Sequence, residues 1–172
     1  MDAPSPELSG DAMRDLLAEV GQLLDAQGLE GEIVLAGGAV IVMVLAARGG
    51  SRDIDAVFVA EARAIQDSAR EVAGRHGLPA TWLNDHVKIF VADDAPTQDL
   101  FAVPGLRVRM VTLEYLFYMK AWAGDPVDQL DMLAIARELG LRYEAEAYEI
   151  VRRYSPGELT REIEILLESL FE

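Results

Sequence analysis

The sequence predicts an α+β fold in which a mixed β-sheet is flanked by helices and followed by a helical C-terminal segment. Two stretches have the length of strands: the short apolar run at residues 33–36 and the largely apolar run at residues 53–59. Stretches with the 3.6-residue periodicity of amphipathic helices precede and follow them. From Thr112 onward every periodic stretch is helical, so the sheet is expected to end near residue 111.

The chain of 172 residues is long enough for one domain with a substantial core. We expect an α/β core over about residues 28–111 and a helical part over residues 112–172. Without cysteine, the protein uses neither disulfides nor a thiolate zinc site. No signal-peptide pattern opens the sequence, and the glycine-interrupted apolar run at residues 33–47 is too short for a bilayer. A cytoplasmic protein without a membrane partner is therefore expected.

The charge of the chain is strongly acidic. Thirty Asp and Glu residues against fifteen Lys and Arg residues give a net charge of −15. Nucleic-acid binding draws on Lys and Arg, so the charge disfavours a large RNA or DNA ligand. Most of these carboxylates are expected to form solvated faces that keep the protein soluble.

The first elements lead to a glycine pair. Residues 11–27 predict an amphipathic helix that Gly28 ends. The strand at residues 33–36 is followed by residues 39–47, which are apolar and unbroken, so the chain is expected to turn at Gly37-Gly38 into a helix. Glycines there allow close approach of the backbone to a ligand, and a helix amino terminus offers N–H groups to phosphate.

Two aspartates follow on the next predicted strand. Side chains alternate along a strand, so Asp53 and Asp55 are expected on one face and Ile54 on the other. Two neighbouring carboxylates repel each other, but together they form a hard oxygen site for a divalent cation such as Mg²⁺. The alternative is that Asp53 is a solvated turn residue after the glycine-rich loop and that Asp55 lies near a sheet edge.

The middle of the chain predicts a helix, two strands and a loop. Residues 61–75 form the helix. Residues 87–91 alternate in a way that predicts a third strand, which directs Lys88 toward the aspartate site. The proline- and aspartate-containing residues 93–105 predict a loop, and residues 107–111 predict a short strand with its arginines on one face.

A lysine occurs in the first helix of the C-terminal segment. Thr112 is expected to cap a helix over residues 113–123 that is apolar on most sides and contains Lys120. The other lysine of the chain is Lys88, and both lie in segments predicted to be buried or to line a cleft. A buried ammonium needs an anionic partner. The candidates are Asp53, Asp55, Asp128 and Asp131, so Lys120 is expected to reach the cleft of the aspartate pair.

The remaining sequence predicts three more helices. Asp125 is expected to cap the next one, with Asp128 in its first turn and Asp131 on the same face three residues later. Residues 143–154 form another helix, and the last begins at residues 155–158. We expect an apolar stripe left over on the last helix to form a homodimer or partner contact. The stripe consists of Ile163, Leu166, Leu167 and Leu170.

The glycine pair and the aspartates together resemble a known signature. Gly-Gly followed after fourteen residues by Asp-apolar-Asp resembles the nucleotidyltransferase signature of the polymerase-β-like superfamily, at the long end of its spacing. Over about residues 32–141 the chain resembles a bacterial family of nucleotidyltransferase-fold proteins related to the abortive-infection toxins of toxin–antitoxin pairs. The segments that carry this resemblance are GGAVIVMVLAARGGSRDIDAVF, LPATWLNDHVKIFV and VTLEYLFYMKAWAGDPVDQLDMLAIARELG.

The resemblance implies a nucleotidyltransferase-like sheet and a metal-dependent enzyme that transfers a nucleoside monophosphate from a triphosphate to an RNA or protein acceptor. It implies that Asp53 and Asp55 hold Mg²⁺ and the nucleotide, while Gly37 and Gly38 contact phosphate. The other implied site residues are Lys120, Asp128 and Asp131 in catalysis and Arg52 in nucleotide binding. Lys88 is assigned to nucleotide binding because the predicted third strand directs it toward the same site. The charge of −15 favours a protein or small acceptor over naked RNA.

The sequence departs from the family pattern at two places. Ala39 stands where a Ser or Thr often binds phosphate, and Gly124-Asp125 stand where an arginine is usual. Loss of a hydroxyl and a cation weakens triphosphate binding. Two alternatives therefore stay open: a degenerate nucleotidyltransferase that binds nucleotide or a partner without turnover, and an antitoxin-like scaffold whose acidic surface binds a basic partner.

Overall fold

A computed structural model describes residues 5–172. The chain divides into two units, the first ending at Val111 and the second spanning Thr112–Glu172. The described elements of the first unit are α1 (Gly10–Ala26), β1 (Gly31–Leu35), α2 (Gly38–Val40) continuing as a π-helix (Ile41–Leu45), β2 (Ile54–Ala60), α3 (Ala62–His76), β3 (Leu83–Asn84), a 3₁₀-helix (His86–Phe90), β4 (Thr97–Val103) and β5 (Leu106–Val111).

Within the described residues, five strands form one mixed sheet in the order β3-β2-β1-β5-β4. At its centre, β1 runs antiparallel to β2 and parallel to β5. The outer strand β3 is parallel to β2, and β4 is antiparallel to β5. The α+β class and the mixed sheet expected from the sequence are confirmed.

The core of the first unit lies between one face of the sheet and two helices. Alternate residues of the central strands, such as Ile33, Ile54 and Val108, are fully buried on this face. Helix α1 contacts α3 and β5, and α3 contacts β1 and β2. The inward stripe of α1 includes Leu17 and Leu24, which have no exposed surface, because residues at helical spacing share one side of the helix.

Two glycines let α1 approach the turn between β4 and β5. A Cβ at Gly21 would lie 2.5 Å from the carbonyl oxygen of Pro104 and 2.8 Å from Cγ2 of Val103. The turn contains Gly105, whose positive φ of 80° favours glycine and where a Cβ would collide with the carbonyl oxygen of Gly21 and with Asp25. The backbone of α1 and the backbone of the turn between β4 and β5 are therefore in close contact.

The other face of the sheet carries a network of ion pairs. Arg107 Nη2 and Arg109 Nε lie 2.8 and 3.0 Å from the same Asp99 oxygen, and both guanidinium groups come within 4.0 Å of the Glu32 carboxylate. The buried Val108 lies between the two arginines in sequence. The expectation of a strand with its arginines on one face is confirmed.

The predicted third strand over residues 87–91 is wrong. Strand β3 has just two residues, and the chain then turns into the 3₁₀-helix His86–Phe90. The turn is stabilised by the Asn84 side-chain oxygen, which accepts a hydrogen bond from the His86 N–H. Ile89 and Phe90 are 76% and 69% exposed, so their apolar character does not mark a buried sheet face.

The predicted loop over residues 93–105 is also wrong, because it contains the edge strand β4. Pro96 and Pro104 lie immediately outside the two ends of β4, where they cost no ladder hydrogen bond. The strand pairs with β5 through a two-residue turn at Pro104 and Gly105. The prolines therefore bound the strand and do not interrupt it.

The second unit, all of which is described, is helical: α4 (Leu113–Ala123), α5 (Asp128–Glu138), α6 (Glu144–Tyr154) and α7 (Arg161–Ser169). The Thr112 hydroxyl caps α4 as expected by accepting the Tyr115 N–H. Helix α5 begins at Asp128, three residues after the expected cap, because Asp125 forms a turn by accepting the Val127 N–H. Helix α7 likewise begins later than expected, after the cap residue Thr160.

The apolar stripe of α7 is packed inside its own unit. Ile163, Leu167 and Leu170 are buried, and α7 contacts α4 and α6. Leu166 is half-buried. The expectation that this stripe is left over is therefore wrong, because neighbouring helices already cover most of it. A homodimer or partner contact stays a prediction.

Glu146 closes the amino terminus of α6, and its protonation is expected to weaken that end. The backbone N–H groups of Arg142 and Tyr143 donate to its carboxylate at 2.6 and 3.0 Å, which lowers the pKa of Glu146 from its ordinary value. A lowered folded-state pKa stabilises the fold above the unfolded-state pKa, and this contribution is lost as pH falls through the folded value. Glu146→Ala should lower the urea midpoint at pH 7, and the difference from wild type should shrink in acid.

Glu149 provides the control for this prediction because it is exposed on the same helix. Glu149→Ala should leave the urea midpoint nearly unchanged at both pH values. A carboxyl titration of Glu146 at its ordinary pKa, followed by NMR, would contradict the proposed capping contribution.

Among residues 5–172, no helix combines the length and the apolar content needed to cross a membrane.

Candidate functional site

The glycine pair follows β1 where that strand meets the start of β2. Leu35 pairs with Ala56, and the Ala36 N–H donates to the Asp55 carbonyl oxygen at 3.1 Å. Because the two strands are antiparallel, the end of one lies beside the start of the other. Gly37, the next residue, is thereby brought against Asp55.

Gly37 packs directly on the Asp55 carboxylate. A Cβ at this position would lie 2.8 Å from Oδ2 and 3.0 Å from Cβ of Asp55, closer than side-chain carbon atoms normally approach. The backbone of Gly37 is extended, so the space and not the conformation requires glycine. The half-buried carboxylate therefore lies at the turn from β1 into the helical segment.

A cation and a hydroxyl flank Gly38. A Cβ at Gly38 would collide with Nη2 of Arg48 and would lie 3.4 Å from the Ser51 Oγ. The Ser51 hydroxyl donates to the Asp53 carbonyl oxygen at 3.1 Å. The sequence-based prediction did not include Arg48 or Ser51. Both flank the second glycine pair in the loop that leads to the aspartates, and this position is the signal that could have identified them.

The helical segment after the glycines is irregular. It begins as α2 and widens into the π-helix Ile41–Leu45, which Ala46 ends with a left-handed φ of 50°. π-Helical turns are rare and occur frequently at functional sites. Ala39, which is fully buried in the first turn, offers no hydroxyl there.

Asp53 lies outside the strand. Strand β2 begins at Ile54, so Asp53 and its neighbour Arg52 occupy the preceding bend, where both are exposed. The expectation that residues 53–59 form one strand is therefore corrected at its first residue. Ile54 is fully buried, whereas Asp55 is half-buried, as alternation along the strand requires.

Lys88 lies in the 3₁₀-helix near the other side of β2. Its Nζ forms an exposed ion pair with Asp85 at 2.9 Å. Asn84, the residue before Asp85, pairs with Asp55 on the neighbouring strand β2. Its side-chain amide makes hydrogen bonds within the local turn. Asp85 and Lys88 therefore form a pair at the end of this turn.

The other predicted catalytic residues form a cluster within the helical unit. Lys120 Nζ donates to Asp128 Oδ1 at 2.7 Å and to Asp131 Oδ2 at 2.9 Å. The lysine side chain is 9% exposed, and Asp131 is buried as well. Lys120 thus has carboxylate partners on α5, as a buried ammonium requires. Its predicted approach to Asp53 and Asp55 stays a prediction.

Two aspartates of the first unit are of the residue type that binds magnesium in proteins. Mg²⁺ is commonly held by one or two protein carboxylates together with substrate phosphates and water. Asp55 presents a carboxylate of this type beside Gly37, and Asp53 lies two residues earlier at an exposed position before β2. Among residues 5–172, no three His, Cys, Asp or Glu side chains gather into a metal-binding group. The fit to Mg²⁺ therefore depends on ligands from the substrate.

Comparison with protein-family models, curated proteins and solved structures yields no match for this chain. Functional interpretation therefore rests on the residues of the site. The relevant features are the close contact of Gly37 with Asp55, the groups around Gly38 and the charge distribution.

Proposed function

We propose that the first unit binds a nucleoside triphosphate and transfers its nucleoside monophosphate to a hydroxyl of an RNA or protein acceptor. The observation that carries this proposal is the packing of Gly37 against the Asp55 carboxylate. A glycine turn and a carboxylate that meet at adjacent strand ends bring a phosphate-binding backbone next to a metal-binding oxygen. The net charge of −15 favours a protein acceptor over naked RNA.

The phosphates are assigned to the backbone at Gly38 and to the side chains around it. Arg48 provides a permanently charged guanidinium, which binds phosphate oxygens strongly. Ser51 provides a hydroxyl. These two groups offer the same chemistry as the hydroxyl and the arginine that the family pattern has elsewhere.

Asp53 and Asp55 are the residues that would hold Mg²⁺. When bound, this ion neutralises phosphate charge and polarises the phosphoryl group. Asp55 is held in position by strand β2 and by its contact with Gly37, whereas the exposed Asp53 remains accessible at the preceding bend.

In the proposed reaction the acceptor hydroxyl oxygen attacks the α-phosphorus. The bond between the α-phosphorus and the oxygen bridging to the β-phosphorus breaks, and pyrophosphate leaves. A nearby carboxylate takes the hydroxyl proton. Arg48 and Arg52 are the basic residues assigned to offset charge on the departing pyrophosphate.

A degenerate nucleotidyltransferase that binds without turnover is the second candidate. It is favoured by the fully buried Ala39, which leaves the family's phosphate-binding position without a hydroxyl. Such a protein binds nucleotide but releases no pyrophosphate. Pyrophosphate release in the presence of candidate acceptor proteins distinguishes the two candidates.

Calorimetry with ATP, GTP, CTP and UTP, with and without Mg²⁺, tests the proposal. At least one triphosphate should bind, and Mg²⁺ should strengthen its binding. The double variant Asp53→Ala, Asp55→Ala should lose this Mg²⁺ dependence, because both proposed ligands are gone. Absence of binding by all four triphosphates would reject the nucleotide-based function and favour a partner-binding scaffold.

Gly37→Ala is expected to weaken triphosphate binding at least about tenfold, because the added methyl displaces the Asp55 carboxylate. Gly49→Ala is the matched control. It alters a glycine of the same loop region, where a Cβ would meet no atom of the described chain within 4 Å. Equal affinities of the two variants, measured by the same calorimetry, would contradict a role for the contact between Gly37 and Asp55.

A further inference from the structure

A groove of about 540 Å³ opens on the first unit at the sheet face that carries the arginines. Val34, Val57 and Val59 contribute to it from two adjacent strands, with Val34 and Val57 directly paired. Val59 is 56% exposed, although branched apolar side chains usually gain by burial. Val34 is buried and Val57 half-buried, so Val59 supplies most of the accessible apolar surface on the floor of the groove.

Charged groups surround this apolar floor. Lys88 and Arg109 contribute cations, while Glu32 and Asp93 contribute carboxylates. The segment that closes one side includes Val91, Ala92 and Ala95. An apolar floor with a few polar groups at its edge, within the volume range of ligand pockets, fits a flat ring that carries hydrogen-bonding groups.

Asp55 of the proposed phosphate site does not line the groove, but it lies on the same strand, β2, as two of the lining valines. Asp55 and Val57 lie on one face of this strand, which rises about 3.3 Å per residue, and Val59, at a register shift between β1 and β2, lines the groove together with Val57. Val57 is thus about 7 Å and Val59 about 13 Å from Asp55 along the strand. A nucleoside has a comparable length, so phosphates bound beside Asp55 leave the ribose and base over these valines.

We propose that this groove binds the nucleoside part of the triphosphate, with the base on Val57 and Val59. The inference rests on the proposed function, because Asp55 and the glycine turn fix the phosphate end. Carboxylates of Glu32 and Asp93 are suited to accept hydrogen bonds from ribose hydroxyls or base amino groups. The groove is thereby the part of the site that distinguishes a nucleotide from a bare polyphosphate.

Val59→Glu tests the assignment, because it places a charge on the apolar floor at a position already exposed to solvent. Two ligands are titrated by calorimetry with Mg²⁺: tripolyphosphate, and the tightest binder among ATP, GTP, CTP and UTP. We expect the Kd for the nucleotide to rise at least tenfold and the Kd for tripolyphosphate to change less than twofold. Val127→Glu, the same change at an exposed position of the helical unit, should alter neither value.

The two ligands separate the possible failures. The groove assignment is wrong if Val59→Glu leaves the Kd for the nucleotide unchanged, or if it weakens the binding of both ligands equally. Neither result contradicts the proposed phosphate site. The groove assignment is likewise wrong if wild type binds tripolyphosphate as tightly as every nucleotide. If wild type binds neither ligand, the proposed function fails, and the groove assignment fails with it.

Discussion

Lys120→Ala is expected to destabilise the helical unit by about 3 kcal/mol, because it removes the ammonium that pairs with the buried Asp131 carboxylate and the half-buried Asp128 carboxylate. The ammonium lies 2.7 Å from Asp128 and 2.9 Å from Asp131, which tie α4 to α5. With 9% exposure at Lys120 and 7% at Asp131, water screens this part of the cluster poorly. Urea unfolding followed by circular dichroism measures the loss of helix stability.

Lys88→Ala is the control for Lys120→Ala. Lys88 also forms an ion pair at 2.9 Å, but its side chain is largely exposed. Exposed ion pairs contribute little to stability, so this variant should change the free energy of unfolding by less than about 1 kcal/mol. Similar small losses for both lysines would mean that water reaches the Lys120 cluster.

Gly21→Ala is expected to destabilise the first unit by about 2 kcal/mol through overpacking. Its new methyl would lie 2.5 Å from the Pro104 oxygen, so α1 or the turn between β4 and β5 must move. The intrinsic preference of a helix for alanine over glycine offsets only part of this cost. Thermal or urea unfolding measures the net effect.

Gly74→Ala makes the same change in α3, where a Cβ would meet no atom of the described chain within 4 Å. Helix propensity then acts alone, and the variant should be stabilised by about 0.5–1 kcal/mol. Opposite signs for the two substitutions are the expected result. Stabilisation by Gly21→Ala would show that the contact between helix and turn relaxes without cost.

Local sequence patterns predicted the helices near Gly10–Ala26, Ala62–His76 and Leu113–Ala123. Their apolar spacing and terminal residues act within a few turns of chain, and no distant partner is needed to recognise them. The turn at Gly37-Gly38 was predicted for the same reason, since a break between two apolar runs is visible in the sequence.

Hydropathy patterns gave wrong secondary-structure predictions where apolar residues are exposed to solvent or where a strand depends on a distant pairing partner. Ile89 and Phe90 were assigned to a strand because they continue an alternation, yet they lie exposed on a 3₁₀-helix. Strand β4 was missed because its flanking prolines indicated a loop. Its place in the sheet depends on pairing with β5, which hydropathy does not reveal.

The sequence by itself determined the α+β class, the glycine turn and the candidate residues Gly37, Gly38, Asp53 and Asp55. It did not reveal Arg48 and Ser51 beside Gly38, because the loop must fold back before these side chains approach the turn. Tertiary structure likewise decided that Gly37 contacts the Asp55 carboxylate and that valines of two strands form one groove. Both depend on the pairing of β1 with β2, a contact between distant residues whose register local periodicity does not specify.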